Sequence, residues 1–359
     1  MRTIESTRTG RPRPALGRRP LLLLLTLAVT LYASAAWAEG VVTEYSLDSG
    51  SQPWGIVSGP DGALWYTNFQ SDKVGRIAVS GERTEYAALD APKELVSGPD
   101  GNIWYVASSG TALAKMSTSG VSLGQYDFPS SIIEGLAVGP DGRIWFALSS
   151  EEALGAITTD GVITRYALPS GAEPMGVAAG PDGAMWYTDI GGNTIGRVTV
   201  SGVATHVATL SGAPYNIVTG ADGALWVTLT TTNKIARITV EGAVTERTLP
   251  RANALPDGLA SGRDGALWFT ENACDIVGKI TTSYDFTEFP LPTSCAAPRG
   301  IASGPDGNIW FTEMGEDKIG KISVDIPPVP ALGAAGGLLL GLGLLLCGGW
   351  GPRRARPRR

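Results

Sequence analysis

Seven tryptophans, Trp65, Trp104, Trp145, Trp186, Trp226, Trp268 and Trp310, recur at spacings of 39, 41, 41, 40, 42 and 42 residues. Each follows a turn of the kind Gly59-Pro60-Asp61-Gly62, repeated most fully at 180–188 and 304–312. A period near forty residues marks a repeat architecture whose units cannot bury their apolar faces alone. Seven copies mean seven units.

Period-two alternation and turn residues divide the first unit into four short strands. Strand A covers 55–58, strand B 63–67, strand C 74–79 and strand D 83–89, with turns at 59–62 and 80–81. Four antiparallel strands per unit, repeated radially, predict an all-β seven-bladed propeller with no helix before residue 330. The seventh unit stops after strand C at Val324, whereas residues 41–47 read like strand D elsewhere, as at 244–249. The N-terminal strand is therefore expected to complete the last blade. Because all seven units carry the tryptophan and the turn aspartate, these are read as interblade packing and turn capping, not as ligand or metal sites.

The two ends read differently. Residues 1–38 hold six arginines, an apolar run over 21–31 and Ala36-Trp37-Ala38, the layout of a cleaved secretory signal peptide. After Ile326-Pro327-Pro328-Val329-Pro330 come about twenty mostly apolar residues over 331–350, then Arg353, Arg354, Arg356, Arg358 and Arg359. That length suits a single transmembrane helix. The arginine tip would stay cytoplasmic, placing the propeller (39–326) outside, in the periplasm or at the cell surface. The tail (327–359) resembles the C-terminal sorting signals of Gram-negative envelope proteins, and either a permanent anchor or later processing fits it.

Without these ends the chain keeps 17 basic and 33 acidic groups, a net charge of about −16. Nucleic acid is excluded as a partner, since its binding rests on neutralising phosphates. The expected partner is a small-molecule or protein ligand of a monomeric propeller, which meets the membrane through its C-terminal helix.

Loops joining D to A and B to C share one face, where strand A opens on the central channel. The residues at the mouth of strand A are Trp54, Lys93, Glu134, Met175, Tyr215, Asp257 and Arg299; those ending strand B, three after the repeated tryptophan, are Asn68, Ala107, Leu148, Asp189, Leu229, Glu271 and Glu313. Positions that differ between units are not fixed by the fold, so Trp54, Asn68, Tyr215, Asp257 and Arg299 are candidate ligand contacts. The carboxylates at 257, 271 and 313 suit a hard cation such as magnesium or calcium. Arg299 among them suits an ion-pair cluster without metal, and both readings stand. Cys274 and Cys295 fall on this same face, where an oxidising compartment favours a disulfide closing a loop of about twenty residues and worth about 3 kcal/mol.

Gly59-Pro60-Asp61-Gly62, Trp268-Phe269-Thr270-Glu271, Lys318-Ile319-Gly320-Lys321-Ile322 and the run 286–292 closely resemble the virginiamycin B lyase family across 41–325. The resemblance implies a seven-bladed propeller that linearises streptogramin B antibiotics by a magnesium-dependent elimination. It further implies catalytic histidines at the mouth of strand A in the last two blades, with an acid just before the last. Those places hold Asp257, Arg299 and Ala297, and Glu313 stands where a last acidic ligand would be carried over. The sole histidine, His206, is read as part of strand D of unit five, at the rim and away from the channel. The expectation is a lyase-like binding module, with a magnesium-dependent carbon–oxygen lyase as the alternative.

Overall fold

The computed structural model describes residues 40–324. The signal-peptide and tail assignments, at 1–38 and 327–359, lie outside the described residues. Among the described residues, 28 strands form seven four-stranded antiparallel sheets. No helix among them is long and apolar enough to cross a membrane.

Strands A are Pro53–Ser58, Leu95–Ser97, Ile133–Val138, Pro174–Ala179, Pro214–Thr219, Pro256–Ser261 and Pro298–Ser303. Strands B are Leu64–Asn68, Ile103–Ala107, Ile144–Leu148, Met185–Asp189, Leu225–Leu229, Leu267–Glu271 and Ile309–Glu313. Strands C are Lys73–Ile77, Ala112–Met116, Ala153–Ile157, Thr194–Val198, Lys234–Ile238, Ile276–Ile280 and Lys318–Ile322. Strands D are Arg83–Ala87, Ser122–Asp127, Ile163–Ala167, Ala204–Thr209, Val244–Thr248 and Phe286–Pro290, with Val42–Ser46 serving blade 7. That last strand pairs antiparallel with strand C of blade 7, Val42 opposite Ile322 and Tyr45 opposite Ile319, as the repeat pattern requires. One small departure is a single 3-10 turn between strands B and C in blades 2, 3 and 5.

Seven apolar clusters each bridge two neighbouring blades. Trp65 of blade 1 packs with Leu95, Ile103 and Tyr105 of blade 2, and Trp310 of blade 7 packs with Ile56, Leu64 and Tyr66 of blade 1. The ring therefore closes on itself, and burying large aromatic surface between sheets is its main stabilisation. Each repeated tryptophan is fully buried. Its indole N–H donates to the turn aspartate four residues earlier, at 3.0 to 3.3 Å in all seven blades. The other oxygen of that aspartate pairs with a cation in most blades, as in Arg76–Asp61 at 2.5 Å and Arg237–Asp222 at 2.6 Å. The repeated Asp and Trp are thus one structural unit, joining the A–B turn to strands B and C.

Candidate functional site

The channel mouth is held by a hydroxyl clamp between blades. In blade 7 the Thr312 hydroxyl accepts from Gly300 N–H at 2.9 Å and donates to the carbonyl of Trp54 in blade 1 at 2.8 Å. The same arrangement fixes the carbonyls of Lys93, Tyr215, Asp257 and Arg299 through Thr67, Thr188, Thr228 and Thr270. Glycine follows the mouth residue in five blades, and a Cβ on Gly258 would lie 2.1 Å from the Arg299 carbonyl oxygen. Backbone fixed in this way gives the mouth side chains a rigid base.

Arg299 is the centre of the site. Its Nη1 lies 3.4 Å from Asp257 Oδ2, its Nη2 donates to the Tyr215 hydroxyl at 3.2 Å, and its guanidinium carbon stacks 3.6 Å above the Trp54 ring. Trp54 in turn donates its indole N–H to Glu94 Oε1 at 3.2 Å. Asn216 donates to the Asp257 carbonyl at 3.1 Å and to its Oδ1 at 3.4 Å. Burial pushes Asp257 up to about 6, against the opposing pull of Arg299. Burial likewise pushes Tyr215 up to about 12 and raises Glu134, whose surroundings include Lys93, Glu94 and Arg299. A cavity of about 90 Å³ sits against Glu94, Asn216, Asp257 and Arg299. It shares Glu94, Asn216 and Leu259 with a channel of about 390 Å³ walled by Val96, Leu136, Val177 and Ile217. The site is thus a polar, doubly charged collar above an apolar bore.

Trp54, Tyr215, Asp257 and Arg299 are brought together; Asn68, Glu271 and Glu313 are not. The pleat explains the difference. Thr270 and Thr312 point toward the following blade, so the next residue in each strand, Glu271 or Glu313, points toward the preceding one. Both glutamates are fully buried with neither carboxylate oxygen hydrogen-bonded. Burial raises Glu271 to about 7 beside Glu288 and Arg251, and Glu313 to about 8 beside Glu44 and Lys318. Asn68, also fully buried, donates to Glu85 Oε1 at 3.1 Å inside its own blade.

A magnesium or calcium ion needs several oxygens converging on one point. The acids at 257, 271 and 313 face three different surroundings. Among the described residues, no three His, Cys, Asp or Glu side chains form a metal-holding group. The residues present do not fit the ion. Cys274 and Cys295 are free thiols, not the expected disulfide. Cys274 packs against the apolar cluster between blades 5 and 6, whereas Cys295 is exposed, its backbone N–H bonded to Asp275 at 2.8 Å. His206 lies on strand D of blade 4, not of unit five, because Ala204–Thr209 pairs with Thr194–Val198; its ring is 3.3 Å from the Thr209 hydroxyl.

Two mouth residues escaped the sequence reading. Glycine follows the mouth residue in five units, but Glu94 and Asn216 replace it in blades 2 and 5. Those two departures were the available signal.

The sequence model described as the virginiamycin B lyase family matches residues 26–210 and 203–327. The chain belongs to the virginiamycin B lyase family. Among solved structures, one described as a streptogramin B lyase is 34% identical, with a TM-score of 0.75, covering 81% of this chain and 99% of that one. Virginiamycin B lyase from Staphylococcus aureus, as a selenomethionine form, is 32% identical with a TM-score of 0.74, over 79% of this chain and 99% of its own. A catalytically inactive variant of the S. aureus enzyme, determined with quinupristin, gives the same identity, TM-score and coverage. No curated protein matches the chain.

Proposed function

We propose that the protein is an exported, envelope-associated member of the virginiamycin B lyase family that binds a ligand at the channel mouth and does not open streptogramin rings. One observation carries this reading: where the family resemblance implies an imidazole, the mouth holds Arg299, clasped by Asp257, Tyr215 and Trp54. A base for elimination must be unprotonated near neutral pH and within reach of the substrate proton. Arg299 stays charged and cannot accept a proton. What the collar offers instead is recognition: a stacked cation and aromatic ring, carboxylates at Glu94 and Glu134, and a second cation at Lys93. A small molecule or protein segment with polar groups of both signs matches that lining.

A second reading has one observation in its favour. Asp257, raised to about 6, sits in the range of a working base. Against it, the residue is only 7% exposed, and Arg299 and Asn216 already engage its carboxylate. The deciding experiment incubates the purified protein with quinupristin, with and without magnesium, and follows ring opening by mass spectrometry. An intact ring is expected in both cases. Magnesium-dependent linearisation that Asp257→Asn abolishes would replace the binding reading with the lyase one.

A further inference from the structure

The face opposite the mouth carries both ends of the described chain. Gly40 N–H donates to Ser323 O at 2.9 Å and Ser323 N–H to Val41 O at 3.0 Å. This is the pattern that closes the C–D turn of blade 1, where Gly81 donates to Ala78 and Ala78 to Glu82. Gly40 has a φ of +89° and Gly81 of +94°, a backbone shape that favours glycine. Blade 7 thus has a C–D turn cut open, with the chain arriving on one side and leaving on the other. Val324 N–H is held by Asn308 Oδ1 at 3.1 Å, next to the A–B turn of the same blade.

On this face every C–D turn except that of blade 6 presents a valine to solvent. Val79 is 38% exposed, Val121 56%, Val162 64%, Val200 38%, Val203 60%, Val240 36% and, at the open turn, Val41 55%. Blade 6 has Thr282, Ser283 and Asp285 instead. Such turns ordinarily carry small polar residues, and no packing demand calls for valine at positions this exposed. Of the nearby cations, Arg76, Lys115, Arg237 and Lys279 each pair with a turn aspartate, while Arg263 on the A–B turn of blade 6 is exposed, as are the acids Glu82, Asp160, Glu241 and Asp285 on the C–D turns. Equivalent turns of a closed ring lie at one level, and the valines occupy two positions on them: Val79, Val200 and Val240 second in the turn, and Val41, Val121, Val162 and Val203 just after its glycine.

We infer that this valine-bearing face rests on a lipid bilayer, with the channel mouth turned away from it. The inference depends on reading the 327–359 tail as a membrane span. Residues 325–330, between the last described residue and the apolar stretch, reach at most about 22 Å even fully extended. The tail therefore leaves from the valine face with too little slack to hold that face far from the membrane. So few valines bind weakly on their own, but a tether makes the contact intramolecular and raises its effective concentration. Shallow burial of apolar side chains at the headgroup boundary is favourable in proportion to their area. Seven valines spread around six turns of the ring suit an extended lipid surface better than a compact protein partner.

The test uses the full chain with Cys274, Cys295 and Cys347 replaced by alanine, in phosphatidylethanolamine–phosphatidylglycerol vesicles. A nitroxide label is carried on Val162→Cys or, on the mouth face, on Ile132→Cys. With the chain floating on the vesicles, the label at 162 should lose collisions with a water-soluble nickel chelate several-fold and keep access to oxygen, while the label at 132 stays unchanged. A floating chain whose label at 162 remains as wet as that at 132 overturns the inference and leaves the membrane-span reading intact. A chain that fails to float overturns both. Shielding of 162 from chelate and oxygen alike would assign the valines to protein contact and likewise overturn docking on lipid.

Discussion

Arg299 Nη1 lies 3.4 Å from Asp257 Oδ2, across the boundary between the first strands of blades 6 and 7. The pair is mostly sequestered, so breaking it differs from breaking a surface ion pair. Arg299→Ala would leave the Asp257 carboxylate buried without its cation, at a cost on the order of 3 kcal/mol. It should also raise Asp257 above its present value of about 6, since the guanidinium now holds that value down. Denaturant unfolding and a carboxyl NMR titration measure the two effects. The double change Asp257→Leu with Arg299→Met should recover most of the loss. A cost below about 0.5 kcal/mol for Arg299→Ala would mean the pair behaves as an ordinary exposed one.

Glu313, raised to about 8, and Glu271, raised to about 7, make stability fall with rising pH. In the unfolded chain both titrate near the usual carboxylate value of about 4.3. Between that value and the folded one, the folded state keeps protons that the unfolded state has released, so each pH unit upward favours unfolding. Glu313→Gln removes the burden of a buried charge. It should stabilise by on the order of 2–4 kcal/mol near pH 8.5 and by almost nothing near pH 4.5. Denaturation midpoints across that range test this, and a gain independent of pH would refute it.

Thr312 joins Gly300 N–H to the Trp54 carbonyl across the seam between blades 7 and 1. Thr312→Val keeps the shape and removes the hydroxyl, leaving two half-buried backbone groups without that partner. The expected cost is about 1–3 kcal/mol by chemical denaturation. A neutral result would show that water reaches the seam and takes over both bonds.

Tyr45, on the N-terminal strand, stacks on Trp310 with ring centroids 5.5 Å apart, and Glu44 pairs with Lys318 at 2.8 Å. Deleting residues 42–46 would strip strand C of blade 7 of its partner and expose a bare sheet edge. Soluble oligomers or aggregates are expected in size-exclusion chromatography, together with loss of a single cooperative unfolding transition. A monomer that unfolds in one step would contradict closure of the ring by the N-terminal strand.

The number of blades, their strand order and the seam were all legible in the sequence, because Trp65 through Trp310 mark one position in every unit and residues 42–46 match strand D elsewhere. Asp257 and Arg299 were legible for the opposite reason, as unlike residues at a position the fold leaves open. The burial of Glu271 and Glu313 was not. Both end a strand on the mouth side, but the pleat turns them into the interblade space, and spacing alone does not give that direction. Glu94 and Asn216 are not legible at the mouth position itself, because the break in pattern stands one residue later, where the other five units have glycine. For Cys274 and Cys295, shared location on a face said nothing of side-chain aim.

Val41 and Ser323 are hydrogen-bonded although 282 residues separate them. Joining two such distant points costs the unfolded chain about 5 kcal/mol of entropy. The strand synthesised first is thus the last to find its neighbour, and it waits unpaired until the final sheet has been made. An open array of repeats can lose a terminal unit and survive with the remainder. Here a transcript cut short anywhere before blade 7 yields a chain with no partner for its own beginning, so the molecule is made whole or not at all.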